Sequence, residues 1–300
     1  MVRRGAVAAR SSPPLAGWEF RRLVRLQWIE EFVTKRALIV GISDYTPIAP
    51  PLASSMVEIE RWRELLVGRY GFSDSNVRLL REYHATKAAT IDRLAWLLAD
   101  SGPGDQLVFV FCGHGLRTKR RHVTADPLDV CEEALVLHPA GMTRADDVAL
   151  FESELASMYH AIGVARGALP TFILDCCFSA GIDLRPAQAF GGFAQATADL
   201  EERDRQTVAV VRFGLRLARP SASAPPLVVA GSDESAFATE IEIGGVTRSR
   251  FSSLAIKALS SNPALTYEEL LRYVAGEMET VNQEPSLRGA PERIQNCFLQ

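Results

Sequence analysis

Two short stretches carry the groups that could do chemistry. "DQLVFVFCGHG" (105–115) is an apolar run ending in Cys112-Gly113-His114-Gly115, and "TFILDCCFSAG" (171–181) is another ending in Asp175-Cys176-Cys177. A cysteine becomes a nucleophile when a neighbour takes its proton or stabilises its thiolate. His114 is the candidate for that neighbour, because flanking glycines let backbone come close to a substrate. The other histidines lack such a setting. His84 lies in a polar connection, His122 in a basic loop, His138 before a proline and His160 on a helix. The two thiols at 176 and 177 leave a second chemistry open, acyl or disulfide exchange, although adjacent cysteines seldom form a relaxed disulfide.

Groups so far apart in the chain must be brought together by a sheet. "ALIVGI" (37–42) and "VRLLR" (77–81) read as further short strands, as do "EEALVLHP" (132–139) and "PLVVAGS" (226–232). Helical periodicity covers 54–72, 86–102, 149–163, 249–261 and 265–282, and "NCFLQ" could close the chain as a strand. Strands alternating with helices predict an α/β fold with a mainly parallel sheet, in which ligands sit beyond the carboxyl ends of the strands. Both chemical stretches end at such a place.

Composition narrows the function classes. The chain has 300 residues, 47% of them hydrophobic, enough for a sizeable core. A net charge of −3 argues against a nucleic-acid binder held by bulk charge. No apolar run reaches the roughly 18 residues of a membrane span. Five cysteines without paired spacing suggest neither a disulfide framework nor a zinc site, and a reducing, cytoplasmic setting is expected. Residues 1–36 form a basic extension, with seven Arg and one Lys against three Glu. Its 18–33 segment has the spacing of an amphipathic surface helix. Residues 185–226 break the alternation, with six arginines and a "RPSASAPP" end. Segments of that length are usually functional or disordered.

Taken together, "FVFCGHG" and "FILDCCFSAG" resemble the caspase-like cysteine peptidases, in particular the metacaspase and bacterial orthocaspase branch. "KRALIVGISDY", "LASSMVEIERWRELL", "EEALVLHPAG", "VVAGSDESAFATE" and "QEPSLRG" extend the resemblance over residues 36–300. It implies a caspase-like fold, a mainly parallel six-stranded sheet flanked by helices. It divides the chain into a large-subunit-like region (37–184), an inter-subunit linker (185–226) and a small-subunit-like region (227–300).

Carried onto this sequence, the resemblance makes Cys177 the nucleophile and His114 the general base, with the backbone N–H groups of Gly115 and Cys177 as the oxyanion hole. Asp175 becomes the floor of the pocket for the residue before the scissile bond, Glu58 a second acid, and Cys112 and Ser55 part of its wall. Two carboxylates select an extended cation, so protein substrates with exposed Arg or Lys are expected. An enzyme of that specificity would cut its own linker, first at Arg216, then at Arg205 or Arg212, unless an upstream protease or regulatory partner activates it. Phe178 replaces the family's histidine after the nucleophile. The calcium-binding acids are poorly kept in Asp126, Asp129 and Glu132, so no cofactor is required and calcium dependence stays open. The competing expectation is an inactive caspase-like interaction module. No third member of a triad can be named from the sequence.

Overall fold

The computed structural model describes residues 33–121, 129–142, 144–151, 154–155, 158–159, 167, 169–176, 227–232, 239–279 and 283–299. In chain order the described residues give β1 (Lys35–Gly41), α1 (Ser55–Tyr70), β2 (Val77–Arg81), α2 (Lys87–Leu98) and β3 (Gln106–Cys112). They continue with β4 (Gly115–Arg121), β5 (Asp129–Val136), the short α3 (Ala145–Val148), β6 (Ala149–Phe151) and β7 (Thr171–Asp175). After residue 226 come β8 (Leu227–Ala230), β9 (Glu240–Ile243), β10 (Val246–Ser249), α4 (Arg250–Ser261), α5 (Tyr267–Met278), β11 (Ser286–Arg288) and α6 (Pro291–Ile294).

The main sheet has six strands in the order β11-β8-β7-β3-β1-β2. All its pairings are parallel except β11 on β8, so the fold is the expected mainly parallel α/β type. The central runs are apolar throughout because both faces are covered. Leu38, Ile39 and Val40 of β1 are fully buried, as are Val108 to Phe111 of β3. Each such apolar side chain stabilises the fold by about 1.5–3 kcal/mol relative to exposure. Alternate residues divide between two cores. Leu38, Val40, Phe109, Phe111, Phe172 and Leu174 pack with α2, β5 and β6, whereas Ile39, Val108, Val110 and Ile173 pack with α1, α4 and α5.

Helix ends follow their sequence signals. Gly71 ends α1 at φ 68°, a left-handed position that suits glycine. Thr266 and Glu269 form a reciprocal capping box at the start of α5. No helix among the described residues is long and apolar enough to cross a membrane.

Three expected elements differ. The strand around 132–139 lies outside the main sheet, in a separate antiparallel sheet of order β4-β5-β6. The segment expected as a helix from residue 149 opens instead as β6, whose Ala149, Leu150 and Phe151 are all buried against β5. Three consecutive buried residues suit a strand covered on both faces better than one stripe of a helix. The carboxyl end is not a strand, and Cys297 makes only an isolated bridge to Thr266. The sixth strand is β11, from within "QEPSLRG".

Candidate active site

The ends of β3 and β7 lie side by side. Cys112 stands opposite Asp175 in the parallel ladder, and the Gly113 N–H donates to the Asp175 carbonyl at 3.2 Å. The chain then leaves β3 through His114 into β4. His114 is held from several sides. Its backbone N–H donates to the Tyr45 hydroxyl at 2.9 Å, and its carbonyl accepts from the Val136 N–H at 2.9 Å. Its ring lies 4.6 Å from that of Tyr45, at an interplanar angle of 55°. The ring nitrogen Nε2 is 2.8 Å from the Pro50 carbonyl oxygen. A carbonyl can only accept, so this bond puts a proton on Nε2, and in the neutral ring Nδ1 then carries the lone pair. Burial pushes the imidazole pKa below its ordinary value, against the Pro50 carbonyl and the Glu240 carboxylate, which favour the charged ring. The lowered pKa favours the neutral imidazole, with Nδ1 as its basic nitrogen.

Gly113 has no room for a side chain. A Cβ there would lie 2.3 Å from the Tyr45 hydroxyl and 2.8 Å from the Phe111 ring. Gly115 is the first residue of β4 and pairs with Leu135. The bond from Val136 N–H to the His114 carbonyl makes Gly115–Leu135 a non-hydrogen-bonded pair of the antiparallel ladder. The Gly115 N–H therefore points away from β5.

On the opposite face of the sheet the same strand ends meet α1 and α4. Asp175 is 5% exposed and Glu58 is 0% exposed. Asp175 accepts from the Ser252 hydroxyl, and the Ser249 side chain and Ser252 backbone also favour its charged form. Ser249 is the N-cap of α4, so the carboxylate lies at the positive end of that helix. Trp62 Nε1 donates to Ser252 Oγ at 2.9 Å, so a fully buried indole braces the serine that binds Asp175. Glu58 pairs with Arg61 one turn along α1, at 2.8 Å. Arg61 also reaches Ser253 at 3.1 Å, tying α1 to α4. Burial raises the pKa of both carboxyls, and each feels other carboxylates: Asp175 acts on Glu58, and Glu240 on Asp175. The α1 helix sits tight on β1, where a Cβ on Gly41 would be 2.5 Å from the Ile59 side chain.

The family model for the metacaspase, peptidase C14 domain matches residues 35–184, which carry both strand ends. The chain belongs to the metacaspase family. Metacaspase-5 of Trypanosoma brucei brucei is 36% identical over 97 residues, covering 32% of this chain and 18% of that protein. The match thus spans less than a fifth of the trypanosome protein's own length. Metacaspase-1 of Ajellomyces capsulatus is 24% identical over 292 residues, covering 84% of this chain and 79% of that protein. A solved structure of a Geobacter sulfurreducens protein superposes with a TM-score of 0.62 at 16% identity, covering 89% of this chain and 98% of that one. That likeness shows the fold, and the six-stranded sheet with its helices is a caspase-like one.

In this metacaspase domain, His114, Gly115, Cys112, Asp175, Glu58 and Ser55 fall around two adjoining strand ends and the start of α1. Glu58 is no exposed helix charge. Cys112 is 2% exposed, and burial with Asp175 and Glu58 pushes its thiol pKa well up, which keeps it protonated. Ser55 is buried as the first residue of α1. Cys176 is fully buried. Cys177, Asp126 and the linker positions Arg205, Arg212 and Arg216 lie outside the described residues. Asp129 and Glu132 stand on β5, opposite Arg121 and Thr118. Among the described residues no group of three or more His, Cys, Asp and Glu could hold a metal ion.

Several contributors were not foreseen. Tyr45 and Pro50 come from the loop after β1, whose "SDY" and "PP" gave no sign that they would reach His114. Glu240 accepts from the Ser54 N–H at 2.8 Å and so joins the β9–β10 hairpin to the start of α1. That hairpin was legible: "EIEIGGVTRS" has alternating character around a Gly-Gly turn. Gln283, 2% exposed, donates to the Gly231 carbonyl at 2.7 Å and accepts from Thr239, fixing the hairpin beside β8.

Proposed function

We propose that this metacaspase is a cysteine endopeptidase that cleaves proteins after arginine or lysine. The observation that carries the reading is the placement of His114, its Nε2 against the Pro50 carbonyl, and a buried acid pair, Asp175 with Glu58, at one set of strand ends. In the proposed reaction the Cys177 thiol gives its proton to His114 Nδ1 while the sulfur attacks the scissile carbonyl. The oxyanion is received by the N–H groups of Gly115 and Cys177. The imidazolium then returns the proton to the leaving amine, and an acyl-enzyme remains. Water, deprotonated by the same histidine, releases the acid product. The full burial of Cys176 supports the neighbouring cysteine as the nucleophile, because attack needs an accessible sulfur.

Asp175 faces the side of the sheet where α1 and α4 meet, and it is the acid we assign to the substrate cation. Part of the Glu58 charge is already answered by Arg61. Asp175 therefore supplies the larger share of the attraction, and Glu58 with Arg61 shapes the wall. A substrate aspartate would bring a third negative charge beside two buried ones, so it is rejected. Activation is assigned to cleavage in the 185–226 linker, first at Arg216, with Arg205 and Arg212 as further sites.

The test is cleavage of fluorogenic peptides bearing Arg, Lys or Asp before the reporter, with and without calcium. Hydrolysis after Arg and Lys and none after Asp is expected. Preferential hydrolysis after Asp contradicts the pocket assignment. No hydrolysis of any peptide, by linker-cut protein as well as by intact chain, favours an inactive interaction module. Intact-mass analysis should show linker cleavage in wild type and one uncut chain in Cys177→Ala.

A further inference from the structure

We infer that Tyr45 and Glu82 are positioning residues for His114, and that residues 43–52 form a holder that fixes the plane and tautomer of its ring. The inference rests on the proposed reading of His114 as the general base.

The turn between β3 and β4 has few ladder partners, so its backbone groups need others. Gly113 N–H goes to β7 and the His114 carbonyl to β5. The His114 N–H goes to a side chain, the Tyr45 hydroxyl. That hydroxyl in turn donates to the Val136 carbonyl at 3.0 Å. A fully buried phenol is tolerated only when its oxygen is satisfied, and here it both accepts and donates. It bridges the histidine's own peptide to β5 while its ring supports the imidazole. Burial pushes the Tyr45 pKa well up, so the bridge stays a neutral hydroxyl. The space for it exists only because residue 113 is glycine.

The same loop supplies the Pro50 carbonyl that takes the Nε2 proton. One closed segment therefore holds the histidine at its backbone, its ring face and its ring edge. Its closure is visible in four bonds: Leu52 N–H to the Ser43 carbonyl (2.9 Å), Ser43 Oγ to the Leu52 carbonyl (2.5 Å), Ile48 N–H to the Tyr45 carbonyl (2.7 Å) and Thr46 N–H to Asp44 Oδ1 (2.9 Å). Ile48 and Ala49 are buried, so the loop is packed as well as bonded.

Glu82 latches this segment from outside. Its Oε2 accepts from both the Ser43 N–H (3.1 Å) and the Asp44 N–H (3.0 Å), immediately before Tyr45. Glu82 follows the end of β2 and has φ 46°, a left-handed conformation disfavoured for a glutamate. A strained residue persists where its surroundings over-determine it. Here the bifurcated carboxylate is that determinant. Glu82 acts on His114 only through the loop, so an uncharged acceptor should serve nearly as well.

The experiment has two arms. In the Cys177→Ala background, 15N-labelled histidine spectra report the His114 tautomer whether or not the protein cleaves peptides. In the otherwise native chain, kcat and KM are measured on an Arg peptide. For Tyr45→Phe, which keeps the ring, and for Glu82→Ala, the Nε2-protonated form should lose its dominance. In both, kcat should fall on the order of tenfold to a hundredfold with KM little changed. Glu82→Gln should restore both readings. Wild-type tautomer and wild-type kcat in Tyr45→Phe would overturn the inference, as would a kcat loss in Glu82→Ala that Glu82→Gln fails to rescue. Should the native protein cleave no peptide, the proposed function fails and the tautomer arm alone decides the holder. If Tyr45→Phe unfolds, the Glu82 pair carries the test.

Discussion

The two faces of the sheet solve opposite problems with the same two strand ends. On the face shared with α2 and β5, the hydrogen-bond partners of His114 are neutral: a phenol, a proline carbonyl and a backbone N–H. On the face shared with α1 and α4, the partners are charged or dipolar: two buried carboxylates, Arg61 and the amino end of α4. A base must be uncharged to accept a proton, and burial among neutral groups favours that form. In the proposed pocket, Asp175 must stay charged while dry, which requires donors aimed at its carboxylate. Strand alternation sends neighbouring residues such as Phe111 and Cys112 to opposite environments, separated by the sheet itself.

Breaking either side should show the difference. The largest effect is expected from the chemistry: Cys177→Ala or His114→Ala lowers kcat on the order of 10⁴-fold, with the fold intact by circular dichroism. Next is the pocket. Asp175→Asn, which removes the charge but keeps the shape, should lower kcat/KM for Arg peptides on the order of a hundredfold, mostly through KM. A kcat loss at constant KM would mean that Asp175 serves the histidine side instead.

The comparison sharpens further in stability. The Glu58 carboxyl is raised by burial, so it holds more protons in the folded state than in the unfolded chain. Its ionisation therefore subtracts stability as pH rises from the ordinary carboxyl range through the raised value, and the deficit persists above. Glu58→Gln should melt higher than wild type at pH 7, with the gain vanishing at pH values below the ordinary carboxyl range. A lower melting temperature at pH 7 would show that the Arg61 pair outweighs burial. The smallest effect lies where the two faces communicate. Glu240 favours the charged form of His114, so Glu240→Gln, which keeps an acceptor for Ser54, should shift the acid limb of kcat/KM further below the ordinary imidazole value of about 6.5.

Much of this was readable from residue types. "ALIVGI", "VRLLR", "FVFC" and "TFILD" announced buried parallel strands, and His114 and Asp175 stand where two of those strands end. The pairing of Glu58 with Asp175 across 117 positions came from family resemblance, since no local pattern links a helix residue to a distant strand end. The histidine holder was illegible for a related reason. One of its ring contacts is a backbone carbonyl, which every residue possesses, and the other is a tyrosine that reads as ordinary core. The β4–β5–β6 sheet was also missed, because "GLRTKRR" carries so much charge that alternation is hard to see.

The central claim is that one accessible thiol, activated by His114, attacks substrates positioned by an acidic pocket. The most direct measurement is labelling with an irreversible electrophile carrying an arginine side chain, followed by intact-mass analysis and peptide mapping. The account predicts a single adduct on Cys177, slowed strongly in His114→Ala and in Asp175→Asn, and not formed by the matching aspartate reagent. An adduct on Cys176 or Cys112, or equal labelling by the arginine and aspartate reagents, would contradict it.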